Sequence, residues 1–235
     1  MLKQILSPIQ IYLDQTQNIL IKTYNIKAGK LDSLVHLKFS PAELTLRPAL
    51  IILSSAIFGP VTQLIINLAA MFQFVHIASS LHKDVSENDG SQFPILIGDY
   101  FYSKSFLILY ETGLFKYLRM LSELIGQFNE ASILKLKNPG DLEVVEDYVK
   151  KDTASFFAWG CRMGAEINGA DEQKVKNLYY FGFNLGMATG LRKENIYPEK
   201  AVLYFYEAKK QLGSLPAETA RDTLEKLVDY QSGIL

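Results

Sequence analysis

From Pro48 to Leu81 the chain carries not a single Asp, Glu, Lys or Arg. A run of that length must leave water almost entirely, and it is long enough to cross a bilayer. Gly59-Pro60 interrupts it near one third, and Gln63, Asn67, Gln73 and His76 are scattered through the remainder. The first piece, Ala49–Phe58, is too short to span. Two buried helices of a large bundle therefore explain the run better than a transmembrane segment, because a helix apolar on most sides belongs at a bundle's centre.

Helical signals continue on both sides. Leu2, Ile5, Leu6, Ile9, Leu13, Thr16, Ile19 and Leu20 recur at three- and four-residue steps, the pattern of an amphipathic first helix. Ser40-Pro41 with Glu43 reads as a helix start, with serine as cap and proline in the first turn. Asn88-Asp89-Gly90 is a turn, Asp141 caps a helix after Asn138-Pro139-Gly140, and Asn168–Asp171 separates two more helices. Gly213 and Pro216 bracket the last break. No alternating strand pattern competes. The expectation is all-α, about nine helices in one domain over residues 1–235.

Composition narrows the function classes. With 24 basic and 25 acidic residues well mixed, nothing points to nucleic acid or an anionic membrane surface. Cys161 is the only cysteine, which excludes an intrachain disulfide and a multi-cysteine metal site. No basic stretch followed by a short apolar run opens the chain, so a reducing cytoplasm is the expected location.

GlnPheValHisIleAlaSerSerLeu (Gln73–Leu81) runs into HisLysAspValSerGlu (His82–Glu87). Together they resemble the helix of trans-prenyltransferases, the polyprenyl diphosphate synthases, which ends in HisAspAspXxxXxxAsp. The resemblance implies an isoprenoid-synthase-type helical bundle in which those aspartates hold Mg²⁺ against an allylic diphosphate. Here Lys83 stands for the first aspartate and Glu87 for the last, with Asp84 unchanged. LeuArgProAlaLeu (Leu46–Leu50) is similar to the end of GlyLysArgLeuArgPro, with Glu43, Leu44 and Thr45 in place of Gly, Lys and Arg. His76 falls on the histidine that helps hold isopentenyl diphosphate in the family, and Asn88–Gly90 on its paired arginines. TyrValLysLysAspThrAlaSerPhePhe (Tyr148–Phe157) resembles the Lys-Thr helix with Asp152 for the lysine. GlyPheAsnLeuGlyMetAla (Gly182–Ala188) fits the next helix, but Thr189–Glu194 stands where PheGlnXxxXxxAspAsp is expected. The resemblance also implies that the segment between there and Pro198 is shortened.

The chemistry follows from the charges. Ionising an allylic diphosphate requires several positive charges on the leaving group, which Mg²⁺ ions between two carboxylate clusters supply. Carboxylates at i and i+4 of a helix can share an ion, but those places hold Lys83 and Glu87, a pair able to neutralise itself. The second place offers Lys193 with Glu194 alone acidic. Metal-dependent condensation is therefore not expected, and no residue is assigned a catalytic role. Asp84 and Glu87 are the weak candidates for a cation.

Arg47 and His76 form the best residual site, reading either as a diphosphate clamp or as groups kept for hydrogen bonds within the fold. Lys83 and Lys193 read either as a metal-free extension of that clamp or as ion-paired lysines. Ala78 and Ser79 are small, which suits either a tunnel for a long prenyl chain or close helix packing. The resemblance implies a catalytically inactive family member, akin to the small subunits that pair with an active prenyl diphosphate synthase. Its dimer helices would be roughly Phe93–Ile133, with Phe101, Phe106, Leu107, Tyr110, Leu114 and Leu118 on the face toward a catalytic partner or a second copy. The runner-up is a metal-independent isoprenoid diphosphate-binding protein, and a residual prenyltransferase with unusual ligands comes third.

Overall fold

A computed structural model describes residues 1–26, 29–30, 41–83 and 92–234. Their helices are α1 (Leu2–Ile5), α2 (Gln10–Tyr24), α3 (Pro41–Ala56), α4 (Gln63–Lys83), α5 (Phe93–Glu111), α6 (Leu118–Lys137), α7 (Leu142–Val149), α8 (Ser155–Ile167), α9 (Glu172–Glu194), α10 (Pro198–Leu212) and α11 (Thr219–Ser232). The first helical run is split at Ser7–Ile9 into a tighter 3₁₀ turn, where Pro8 has no N–H to continue the ladder. A π-turn, Lys150–Ala154, joins α7 to α8. Taking each interrupted run as one helix recovers the nine expected. A two-residue antiparallel pairing, Asn25–Ile26 with Gly29–Lys30, is the only β structure among the described residues.

The charge-free run forms most of α3 and nearly all of α4. Among the described residues α4 alone is long and apolar enough to cross a membrane, and 83% of its most apolar stretch is buried. Its faces are answered by α2, α3, α5 and α8. Phe74 on α4 stacks on Phe101 of α5 at 5.6 Å, while Phe72 meets Phe156 of α8 edge-on. Each large side chain buried this way contributes on the order of 1.5–3 kcal/mol relative to exposure.

Caps account for the helix ends. Asp141 accepts from the amides of Glu143 and Val144, and Asp171 from that of Lys174. At the far end of α3, the Asn168 amide donates to the carbonyls of Ser55 and Pro60. The serine cap expected at Ser40 lies outside the described residues.

A glycine stripe sets how α9 lies. Gly182, Gly186 and Gly190 fall one turn apart, against the line of α8, the π-turn and α7. A Cβ at Gly182 would sit 2.4 Å from the Phe157 carbonyl oxygen, and one at Gly186 would sit 2.5 Å from Ala154 Cα. Bare backbone is what lets the two helices touch. The contact brings the C-terminal end of α9, with Thr189, Lys193 and Glu194, over the π-turn that carries Asp152 and Thr153.

Candidate functional site

A cavity of about 460 Å³ opens where α3, the end of α4, the π-turn and the end of α9 converge. Arg47, His76, Lys83 and Lys193 all line it, so the structure brings the four candidate residues together. Among the described lining residues three cations face two carboxylates, Glu43 and Asp152.

Arg47 is half-buried, and its guanidinium lies 5.6 Å from the centre of the Phe157 ring. One terminal nitrogen makes a long bond to the Glu43 carbonyl oxygen, and Nε is buried with no partner. Desolvation lowers its pKa, which Asp152 and then Glu43 partly offset. His76 titrates well below the usual histidine range, first because it is buried and then because Arg47, Lys83 and Lys193 surround it. It stays neutral at physiological pH.

Lys83 is the centre of the site. Its Nζ donates to Asp152 Oδ1 at 3.1 Å and to the Tyr148 hydroxyl, and it sits 4.0 Å from the centre of the Phe128 ring. Thr153 Oγ1 donates to the other Asp152 oxygen at 3.1 Å. Side-chain exposure is 27% for Lys83 and 14% for Asp152, so the pair is mostly desolvated. Burial lowers the Lys83 pKa while Asp152 raises it. Tyr148 is held above the ordinary phenol range by burial, then by Asp152 and Glu194, so it stays protonated. Spacing along the helix points Lys83 at Glu87, but its ammonium is spent on Asp152; Glu87, like Asp84, lies outside the described residues. Asp152 is the site residue that spacing missed. The signal for it was reciprocity: an ammonium stands where a carboxylate is expected, and a carboxylate where a lysine is expected.

Lys193 reaches Glu43 Oε1 at 2.8 Å, and Glu194 is taken by Lys135 at 2.6 Å. Both lysines at the aspartate positions are therefore ion-paired. Ala78 and Ser79 are fully buried, with Ser79 Oγ bonded to the Tyr102 hydroxyl at 2.8 Å. Close packing of α4 on α5 explains their size.

The polyprenyl synthetase family model matches residues 31–191. The chain belongs to the polyprenyl synthetase family. Octaprenyl diphosphate synthase of Escherichia coli is 26% identical over 160 residues, covering 61% of this chain and 50% of that protein. Heptaprenyl diphosphate synthase component 2 of Geobacillus stearothermophilus is 24% identical over 185 residues, covering 72% and 56%. The chain thus spans about half the length of the curated relatives it matches. A decaprenyl diphosphate synthase from Rhodobacter capsulatus superposes with a TM-score of 0.87 at 18% identity, covering 100% of this chain and 99% of that one. A deletion mutant of a heterotetrameric geranyl pyrophosphate synthase from mint gives 0.79 at 19%, covering 93% and 97%. These superpositions establish the all-α isoprenoid-synthase fold.

The Mg²⁺ that the family resemblance implies does not fit the described cavity. Asp152 and Glu43 each already hold a lysine, and no group of three or more His, Cys, Asp or Glu among the described residues is placed to hold an ion. The expected dimer face needs one correction. Phe101 and Leu114 point into the chain's own core, whereas Phe106, Leu107, Tyr110 and Leu118 are exposed. Phe93, Leu96 and Phe115 are exposed as well.

Proposed function

We propose that this family member acts in isoprenoid biosynthesis as a non-catalytic subunit of a prenyl diphosphate synthase. The observation that carries it is the Lys83–Asp152 ion pair, 3.1 Å long, in the cavity where the resemblance calls for a carboxylate-bound metal. An ammonium there supplies its one charge without an ion and repels a divalent cation by several kcal/mol where solvent screening is poor, on the order of 4 kcal/mol per charge pair. The family match also ends at residue 191, short of Lys193 and Glu194.

The exposed apolar face of α5 and α6 supports the subunit half of the proposal. Phe106, Leu107, Tyr110, Phe115 and Leu118 are all exposed, with Tyr110 against Phe115, and apolar surface of this kind is what association buries. Relatives named as one component of a two-part synthase, and as heterotetrameric, agree with a hetero-oligomer. A catalytic synthase chain is the proposed partner, with a second copy of this chain as the alternative. The test is co-expression with a synthase carrying both aspartate motifs, followed by product analysis. Co-purification with a changed product length is expected, and Tyr110→Asp should abolish both. A partner that never co-purifies would refute the subunit role.

A second reading has its own observation. The buried Arg47 Nε and the surplus of positive charge suit a metal-independent isoprenoid diphosphate site. Calorimetric titration of isopentenyl and farnesyl diphosphate in EDTA tests it. Arg47→Lys should weaken binding nearly as much as Arg47→Ala, because an ammonium cannot reproduce the planar fork.

A further inference from the structure

α10 carries a stripe that its own fold leaves in solvent. Glu199, Leu203, Tyr206 and Lys210 recur at three- and four-residue steps, so they share one face of the helix, with Val202 beside them. Val202, Leu203 and Tyr206 are 67%, 64% and 67% exposed. The other face, with Ala201, Phe205, Ala208 and Leu212, is buried in the bundle. A groove of about 510 Å³ between α10 and α11 is walled by Val202, Tyr206 and Ile234, so α11 does not cover the stripe.

The charges around the stripe are ordered. Lys200 is held by Glu146 at 2.7 Å, and Lys209 by Asp229 at 2.6 Å. Glu199 is exposed at the N-terminal end of the face. Lys210 is exposed at the C-terminal end, where its ion pair with Glu207 of the same helix is 3.5 Å long. Along the face the order is therefore acid, apolar, apolar, base. The helix dipole accounts for an acid in the first turn and a base in the last. It does not account for three large apolar side chains left in water between them.

That order selects a partner. Laid antiparallel on a second copy of itself, α10 sets Glu199 opposite Lys210 at both ends, with apolar groups facing each other between. Laid parallel, it would set acid on acid and base on base. A strongly charged partner of another kind has little to recognise, because Lys200 and Lys209 are already paired. Val202, Leu203, Tyr206 and Ile234 together expose on the order of 400 Å² per copy, about half of what each partner buries in a standard interface, so the contact is weak and concentration-dependent.

We propose that the exposed face of α10 pairs antiparallel with the same face of a second copy of this chain, through Val202, Leu203 and Tyr206, with Glu199–Lys210 ion pairs across the two-fold axis. The interface is separate from the α5–α6 face and leaves it open to a catalytic chain. It does not depend on the subunit reading; where both hold, α10 joins two heteromeric pairs into a four-chain assembly.

The experiment is sedimentation velocity of the full chain carrying Tyr110→Asp, which disrupts the α5–α6 face, from micromolar to several hundred micromolar protein. A monomer–dimer equilibrium is expected, and Tyr206→Asp should abolish it. Glu199→Lys and Lys210→Glu each set like charges together at both ends and should weaken it by on the order of tenfold. Mixing those two variants should restore it, because each copy then meets its opposite. Residues 199 and 210 lie about 16 Å apart along one helix, so restoration cannot arise within a chain. A monomer at every concentration would overturn the proposal, as would a dimer that survives Tyr206→Asp. A dimer indifferent to the charge variants, or not restored on mixing, would overturn the antiparallel pairing and the proposal with it. Co-purification with a synthase chain, which tests the subunit role, should be unchanged by Glu199→Lys.

Discussion

Two lysines stand where the family resemblance calls for the first aspartate of a metal cluster, and the structure treats them very differently. Lys83 is mostly buried, held by Asp152 and Tyr148 and laid on Phe128. Lys193 leaves 70% of its side chain in solvent and reaches Glu43 across the cavity mouth. The same kind of substitution is therefore structural at one position and nearly free at the other. Burial decides which: water screens the Lys193 pair almost completely, whereas Asp152 without Lys83 would be a desolvated carboxylate.

The largest effect expected is at Lys83→Asp, which sets two carboxylates side by side. It should cost about 4 kcal/mol, read from urea unfolding midpoints at unchanged slope. Adding Asp152→Lys should recover most of that loss, because the pair is only exchanged. A double variant no more stable than Lys83→Asp alone would mean the two residues are not coupled. Next in size is Lys83→Met, which keeps the stem on Phe128 and removes the charge; about 2–3 kcal/mol should be lost.

His76 ties the comparison to pH, since both lysines and Arg47 hold it neutral after burial does. Its folded pKa lies below the unfolded value near ~6.5, so the unfolded chain takes up the proton first. Stability should be level above that pH and fall as pH drops below it, by at most ~1.4 kcal/mol per unit for this one group. His76→Gln should remove that part of the slope. An identical acid limb in the variant would show that other groups cause it. The smallest effect belongs to Lys193→Ala, which should change stability by less than ~0.5 kcal/mol. A loss as large as that of Lys83→Met would erase the distinction between the two lysines.

Much of the fold was legible because its signals are local. The charge-free run, the Asp141 and Asp171 caps and the breaks at Gly59-Pro60 and Gly213 each act within a few residues. What spacing could not show is contact across the chain. Helical periodicity offers Lys83 only a partner one turn away, yet its carboxylate is 69 positions on, delivered by a π-turn that no residue pattern announced. The same limit misassigned Phe101 and Leu114: their apolar character was plain, but Phe101 on α5 packs with Phe74 and Leu20, and Leu114, past the end of α5, joins the main core. The cavity's four candidates were found by resemblance, and their charge balance became visible only with Asp152 and Glu43 in place.

The central proposal is that an ion pair stands in this cavity in place of a metal and that the chain does not catalyse condensation. The direct measurement is an assay of the purified chain alone with Mg²⁺, isopentenyl diphosphate and allylic diphosphates of several lengths. No elongated product is expected, and Mg²⁺ should not shift thermal stability. Magnesium-dependent product that disappears in Asp84→Ala or Glu87→Ala would contradict the claim and establish a working metal site at the end of α4.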